Sequence, residues 1–164
     1  MFQVCVQRRR GFAFLSNTCL KWVPRKVDIV SMNSDFLEPQ GLWVSVDEVA
    51  YQPQAHTPPD RPHCFAYHIT IHNDTDTTVS IKGRKWVVRG NAGDIVAVEG
   101  DGVVGQFPTI DPGEHFSYNS FHLFAGKSAV AEGSYLGVNA AGQKVLTRIP
   151  KFKMDVPTSE MGWA

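Results

Sequence analysis

Large apolar side chains alternate with small or polar ones over residues 65–72, whose sequence is Phe65-Ala66-Tyr67-His68-Ile69-Thr70-Ile71-His72. Successive side chains of a β-strand point to opposite faces of a sheet, so this period of two predicts a strand with one buried and one exposed face. The turn-forming residues 73–76 follow directly, and apolar residues resume over Val79–Val88. We interpret the two runs as a β-hairpin.

The same rhythm of short strands and turns continues along the chain, and no stretch has a helix-length apolar period. This pattern predicts an all-β fold, an antiparallel β-sandwich of fibronectin-III or immunoglobulin type with about seven strands. The other strands are predicted over Gly41–Val49, Ile95–Val98, Glu114–Phe121, Ala129–Val138 and Gln143–Ile149, the last of which ends at Pro150.

The charge distribution divides the chain into two parts. Residues 1–31 hold six Lys or Arg against one Asp. We interpret them as an extension outside the core, with Met32 as the working start; a basic arm for an acidic partner or membrane and an organelle-targeting peptide are the alternatives. The remaining residues, 32–164, have the size of one domain.

Composition also excludes several classes of function. Residues 32–164 carry 10 basic and 15 acidic side chains, which argues against a nucleic-acid partner. No apolar run approaches the length of a membrane span. The three cysteines, Cys5, Cys19 and Cys64, form no C-x-x-C pair and leave an odd thiol, which favours a reducing, cytoplasmic location.

The segment from Gly100 to Gly105 has the G-x-G-x-x-G spacing of a pyrophosphate-binding loop. Such a loop needs a helix that begins at the third glycine, and the nearby Pro108 and the turn at 111–113 oppose one. We therefore interpret the segment as a glycine-bearing hairpin or bulge.

A phosphate could still bind without a helix. The weak candidate residues are Gly100, Gly102 and Gly105, through their backbone N–H groups, with Arg84 as the neutralising cation. Glu99 and Asp101 would repel that ligand unless a divalent cation intervened. For Arg84 we favour an ordinary surface side chain beside a buried Trp86.

Neither catalysis nor a metal site is predicted. His68 and His72 share a strand face but would lie ~13 Å apart, too far to share one ion. The chain has no G-x-S-x-G motif for a nucleophile, and no cofactor is expected. A non-catalytic binding or regulatory module for an unidentified protein partner is the preferred function. Its candidate contact surfaces are the glycine hairpin and the proline-rich loop 52–63, and exposed strand edges could also accept a partner strand.

Six motifs follow one another in a fixed order, over residues 67–73, 84–86, 98–108, 112–120, 133–135 and 149–152. Together they resemble the ApaG family, from about Trp43 to Val156, and the resemblance implies a fibronectin-III-like sandwich. Bacterial members are encoded beside a diadenosine tetraphosphate hydrolase and are linked to cobalt and magnesium tolerance, while eukaryotic relatives form a domain of F-box and polymerase-interacting proteins. The resemblance therefore implies a binding module, and as an alternative a protein that binds a nucleotide polyphosphate or acts with a divalent cation.

Two places depart from the family pattern. Gly83 stands where a serine is common, and Phe121-His122-Leu123 replaces a segment of small residues and proline.

Overall fold

The protein, described here from a computed structural model over residues 35–91 and 93–158, is built from β-strands. The segment 1–31, predicted to be an extension, lies outside the described residues. Within the described ranges, no helix is long and apolar enough to cross a membrane. The strands are β1 (Leu42–Tyr51), β2 (His63–Asn73), β3 (Val79–Gly90), β4 (Ile95–Asp101), β5 (Thr109–Ile110), β6 (His115–Phe124), β7 (Ser128–Asn139) and β8 (Lys144–Asp155).

The strands form two antiparallel sheets that pack face to face. One sheet has the order β1-β2-β6, and the other has the order β4-β3-β7-β8, with the two-residue β5 beside β3. The predicted sandwich of fibronectin-III or immunoglobulin type is therefore confirmed, with eight strands in place of about seven. The buried face predicted for β2 is confirmed, since Phe65, Tyr67, Ile69 and Ile71 are all buried. The face predicted to be exposed is only half-buried, and its Thr70 is buried.

The predicted hairpin between β2 and β3 is wrong. β2 pairs with β1 and with β6, whereas β3 lies in the opposite sheet. The alternation in β2 specifies a buried face but not a partner strand. β6 occupies the edge of β2 that a hairpin with β3 would need, through ten residue pairs from His63–Phe124 to His72–His115. The connection from residue 74 to residue 78 therefore crosses between the sheets.

The last strand also extends further than its sequence indicates. β8 continues through Pro150 to Asp155, because it is an edge strand of its sheet and a proline without an N–H group is tolerated there. A register shift opposite Glu132 further relaxes the ladder at this point, since Gly133 pairs with Ile149 and Ala131 with Phe152.

The two flanks of the sandwich differ. On one flank, the buried Thr147 Oγ1 of β8 donates a hydrogen bond of 2.8 Å to the carbonyl of Leu42 in β1, and so ties the two sheets together. Leu37 adds a parallel bridge to Val145 on the outer edge of β8. On the other flank, the edge strands β4 and β6 face each other without a strand between them in the described chain.

Asn73 organises the crossing between the sheets. Its side chain is fully buried, and its Nδ2 donates to the carbonyls of Thr77 at 2.9 Å and Ile110 at 2.8 Å. Its Oδ1 accepts from the Thr75 hydroxyl at 2.6 Å. Its own N–H donates to the carbonyl of Glu114 at 3.0 Å. The side chain of Asn73 therefore holds the connection and β5 in place, and its backbone N–H holds the segment that leads into β6.

We expect Asn73→Ala to lower the free energy of unfolding by roughly 3 kcal/mol, because it removes three hydrogen bonds made by a fully buried side chain and leaves the carbonyl of Ile110 without this donor. Urea denaturation measures this change. Asn119→Ala, at an exposed position of β6, should change stability by less than about 0.5 kcal/mol. Equal effects of the two substitutions would contradict the role assigned to Asn73.

Candidate functional site

The open flank between β4 and β6 contains a cavity of about 120 Å³. Aromatic rings of Tyr67, Trp86 and Tyr118 form its walls, and Val98 of β4 lies on the opposite side. Two further side chains that line it, Arg84 and His122, give it its polar character and are taken up in turn below.

A β-bulge in β3 turns Arg84 toward the interior. Val79 and Ile81 are buried before the register shift, and Trp86 and Val88 are buried after it, so the inward-facing residues change from odd to even numbers between Ile81 and Gly83. Bulges re-aim side chains in this way. The interpretation of Arg84 as an ordinary surface side chain is therefore wrong, because the side chain is half-buried and lines the cavity.

Arg84 fixes the chain that follows β4. Its Nη1 donates to the carbonyls of Asp101 and Gly102, at 2.9 Å each. A Cβ built on Gly100 would lie 3.2 Å from the guanidinium carbon, so the guanidinium group packs against the backbone at this glycine. The predicted candidates Gly100, Gly102 and Arg84 are thus brought together, in a contact between a cation and backbone carbonyls.

The glycine segment forms a tight turn, as its sequence predicts, and no helix follows it in the described chain. The N–H groups of Val103 and Gln106 donate to each other's carbonyls, at 2.7 and 2.9 Å. Gly102 has a φ of 58°, and a Cβ there would lie 2.1 Å from the carbonyl oxygen of Gln106, so only glycine fits.

The backbone donors that a phosphate would need are partly occupied. The N–H of Gly102 donates to the carbonyl of Lys82 at 2.8 Å. Since hydrogen-bonded pairs alternate along an antiparallel ladder, the N–H of Gly100, two residues earlier and opposite Arg84, also points at β3. Gly105 lies at the exposed tip of the turn. Phosphate binding at these glycines stays a prediction, with fewer donors available to it than the sequence suggests.

Val104 occupies a costly backbone conformation in this turn. Its φ is 49°, and a β-branched residue at positive φ is an outlier that costs on the order of 1–3 kcal/mol. The side chain packs against the core and lines the cavity. Strain of this kind is concentrated at binding sites, so Val104 marks this flank as a candidate site.

His122 lies on the inward face of β6, between the rings of Tyr67 and Trp86, with ring centroids 5.0 Å from each. Its ring as a whole is half-buried, but the Nε2 atom is enclosed and has no hydrogen-bond partner among the described residues. Burial lowers the pKa of His122 from 6.5 to about 4, so the ring is neutral at physiological pH.

The sequence carries a signal for the direction of His122. Phe116 and Tyr118 set the inward parity of β6, and that parity continues through Ser120 and His122 to the buried Phe124. The strand predicted over Glu114–Phe121 ends just before His122, whereas β6 continues to Phe124. The replacement of the family's small-residue segment by residues 121–123 pointed to the same place.

The hydroxyl group of Tyr118, which lines the cavity, has a partner outside its lining. The hydroxyl groups of Tyr118 and Tyr135 are hydrogen-bonded to each other. Burial raises the pKa of Tyr67 to about 12 and that of Tyr118 well above its ordinary value, so both phenols stay protonated. The cavity is thus an aromatic pocket with one cation and one unsatisfied ring nitrogen.

The other histidines are engaged elsewhere. His72 stacks on Trp43 with ring centroids 3.8 Å apart, and its Nε2 lies 3.0 Å from the hydroxyl of Ser45. His68 Nε2 is 3.9 Å from a carboxylate oxygen of Asp47. Over residues 35–91 and 93–158, no group of three metal-ligating side chains is close enough to hold an ion.

The fold and the site together define a fibronectin-III-like β-sandwich domain whose open flank carries a small aromatic cavity. A family model described as the ApaG domain matches residues 53–139. The chain is 37% identical over 115 residues to Protein ApaG of Deinococcus radiodurans, which covers 70% of this chain and 88% of that protein. It is 38% identical over 107 residues to Protein ApaG of Rhodospirillum centenum, covering 65% and 82%.

A solved structure agrees with these relatives. The crystal structure of the putative ApaA protein from Bordetella pertussis superposes with a TM-score of 0.66 and 29% identity, covering 75% of this chain and 99% of that one. The chain belongs to the ApaG family.

The buried, neutral His122 makes stability depend on pH. The unfolded chain takes up a proton near pH 6.5, whereas the folded chain does so only near pH 4, so acid favours unfolding between these values. We expect the free energy of unfolding to fall by about 3 kcal/mol more between pH 7 and pH 4 in the native protein than in His122→Phe. Urea denaturation at a series of pH values measures the difference.

The comparison removes the contribution of other groups. Hydrogen bonds from Ser45 and Thr70 lower the pKa of Asp47, so protonation of this carboxylate in acid also lowers the free energy of unfolding. That contribution is the same in the native protein and in His122→Phe. His56→Phe, at an exposed position of the loop before β2, should keep the native pH dependence. A His122→Phe protein with that same dependence would refute the assignment.

Proposed function

We propose that this protein is a non-catalytic binding module that takes up an extended segment of a partner protein along the outer edge of β4. Membership of the ApaG family supports a role as a domain of this kind without specifying the partner. The observation that carries the proposal is the exposed apolar character of β4, where Ile95 is 65% and Val96 is 46% exposed.

The outer edge of β4 has no neighbouring strand among residues 35–91 and 93–158, and we call it the free edge. The N–H of Gly90 donates to the carbonyl of Asp94, and that of Gly102 donates to the carbonyl of Lys82. Asp94 and Gly102, which flank β4, therefore bond to β3, and the even-numbered residues between them point their backbone groups in the same direction. The backbone groups of Ile95, Ala97 and Glu99 therefore face the free edge, where a partner strand would bond to them.

Two of the other edge strands, β8 and β6, are less suited to a partner strand. β8 carries a series of charged side chains, including Lys151 and Lys153, and charges of this kind discourage pairing between edges. β6 exposes polar residues such as Ser117 and Asn119. β4, in contrast, runs from Ile95 to Val98 without a charge. Natural edge strands are usually protected, so an unprotected one indicates a contact surface.

Charge adds a direction to the proposal. Glu99 and Asp101 lie at the far end of β4, and Glu99 pairs with Lys85 at 2.9 Å. The partner segment should therefore carry apolar side chains beside Ile95 and Val96 and a basic side chain toward Asp101. The single free thiol described, that of Cys64, is buried and suits a cytoplasmic setting.

Photo-crosslinking tests the free edge. A full-length protein with a photoreactive phenylalanine at position 95 should form discrete adducts in extracts of its source cells, whereas the same group at Lys153 on β8 should not. In the Ala97→Pro background, the yield at position 95 should fall about fivefold, because the proline removes an N–H that faces the partner and leaves the ladder with β3 intact.

A second arm uses peptides in place of an extract. Peptides selected for binding from a library of extended random sequences should shift the amide signals of residues 95–101 and lose affinity for Ala97→Pro. Adducts that form equally at positions 95 and 153, or that survive Ala97→Pro unchanged, would eliminate the free edge as the binding surface.

A further inference from the structure

The enclosed Nε2 of His122 is the one polar group of the cavity for which the described chain supplies no partner. A buried polar atom without a hydrogen bond costs roughly 1–3 kcal/mol, and native proteins satisfy nearly all of them with protein, water or ligand. The nitrogen is held in place by the rings of Tyr67 and Trp86. Something that can hydrogen-bond is therefore expected beside it.

The size and walls of the cavity limit what that occupant can be. Its volume of about 120 Å³ approaches that of cavities of roughly 150 Å³ which take up benzene. The walls are aromatic and aliphatic, from Tyr67, Trp86 and Tyr118 to Val98 and Val104. A single flat ring suits this space, whereas a nucleotide is far too large for it.

The cavity is also kept from collapsing. Arg84 clamps the backbone at Asp101 and Gly102, and this contact fixes the position of the turn that follows. Val104 is held in its strained conformation at the mouth of the cavity by that turn. Strain and a clamp at the same place indicate that the space is preorganised and not a packing defect.

We propose that this cavity binds a single-ring aromatic alcohol, a phenol, with its ring between Trp86, Tyr118 and Val98 and its hydroxyl group hydrogen-bonded to Nε2 of His122. A hydroxyl both donates and accepts, so it suits either tautomer of a neutral imidazole. The hydroxyl groups of Tyr118 and Tyr135 already bond to each other, so the unpartnered Nε2 is the group that a ligand hydroxyl would satisfy. This inference is independent of strand addition at β4.

Fluorine NMR of the full-length protein tests it, with 4-fluorophenol as the probe and fluorobenzene as the matched probe without a hydroxyl. We expect saturable binding of 4-fluorophenol, displaced by unlabelled phenol, with fluorobenzene at least about fivefold weaker. The ring nitrogen signals of His122 should shift on binding in the native protein, a readout that requires no variant.

Two variants separate the hydrogen bond from the space. His122→Phe should weaken 4-fluorophenol about tenfold and remove its preference over fluorobenzene. Val98→Phe should abolish binding of both probes by filling the cavity. Ala97→Phe, which places the same ring on the outer face of β4, should bind like the native protein.

The opposite results are equally clear. Native protein that is folded by its amide spectrum and shows no saturable binding at millimolar 4-fluorophenol would overturn the proposal and leave water as the partner of Nε2. Binding that persists in Val98→Phe, or that is as tight for fluorobenzene as for 4-fluorophenol, would overturn it as well.

Discussion

A single register shift in β3 sets the chemistry of the open flank. The extra residue between Ile81 and Gly83 changes which side chains face the interior, and so places Arg84 and Trp86 between the sheets. Without the shift, the guanidinium group would point outward and the carbonyls of Asp101 and Gly102 would lose their donor. The turn, the strained Val104 and the cavity all follow from this local irregularity, which costs the ladder little because bulges are readily accommodated in antiparallel pairs.

The sheet architecture could be predicted from the sequence to the extent that it depends on side-chain alternation. Residues 65–72 fixed one buried face, and turn-forming residues marked the ends of most strands. Pairing could not be predicted in the same way, because an alternating strand is compatible with any neighbour of the right length. The wrong hairpin between β2 and β3 has this origin, and the buried Asn73, whose bonds reach Ile110, directs the chain to the other sheet.

The candidate site was harder to predict for a related reason. The sequence predicts Arg84 as a candidate, but the direction of its side chain depends on a bulge, and a bulge shifts the parity of the residues that follow without leaving a clear sequence pattern. The glycine turn is predicted by its residues, whereas the use of its N–H donors by Lys82 and β3 depends on the ladder. The parity of β6 indicates that His122 faces inward, but the enclosure of its nitrogen depends on three strands, β2, β3 and β6, that are distant in sequence.

The flank on which Thr147 ties the two sheets together, opposite the open flank, gives the domain a mechanical property. The backbone at Leu37 lies parallel to β8. Its N–H donates to the carbonyl of Lys144 at 2.9 Å, and its carbonyl accepts from the N–H of Leu146 at 2.8 Å. Tension on the two ends of the domain would therefore pull the segment at Leu37 and the strand β8 in opposite directions along their common axis. Both hydrogen bonds would be loaded together in shear and would not open one after the other. The first resistance to such a load therefore lies in these two bonds, at the outer edge of β8 and outside the core.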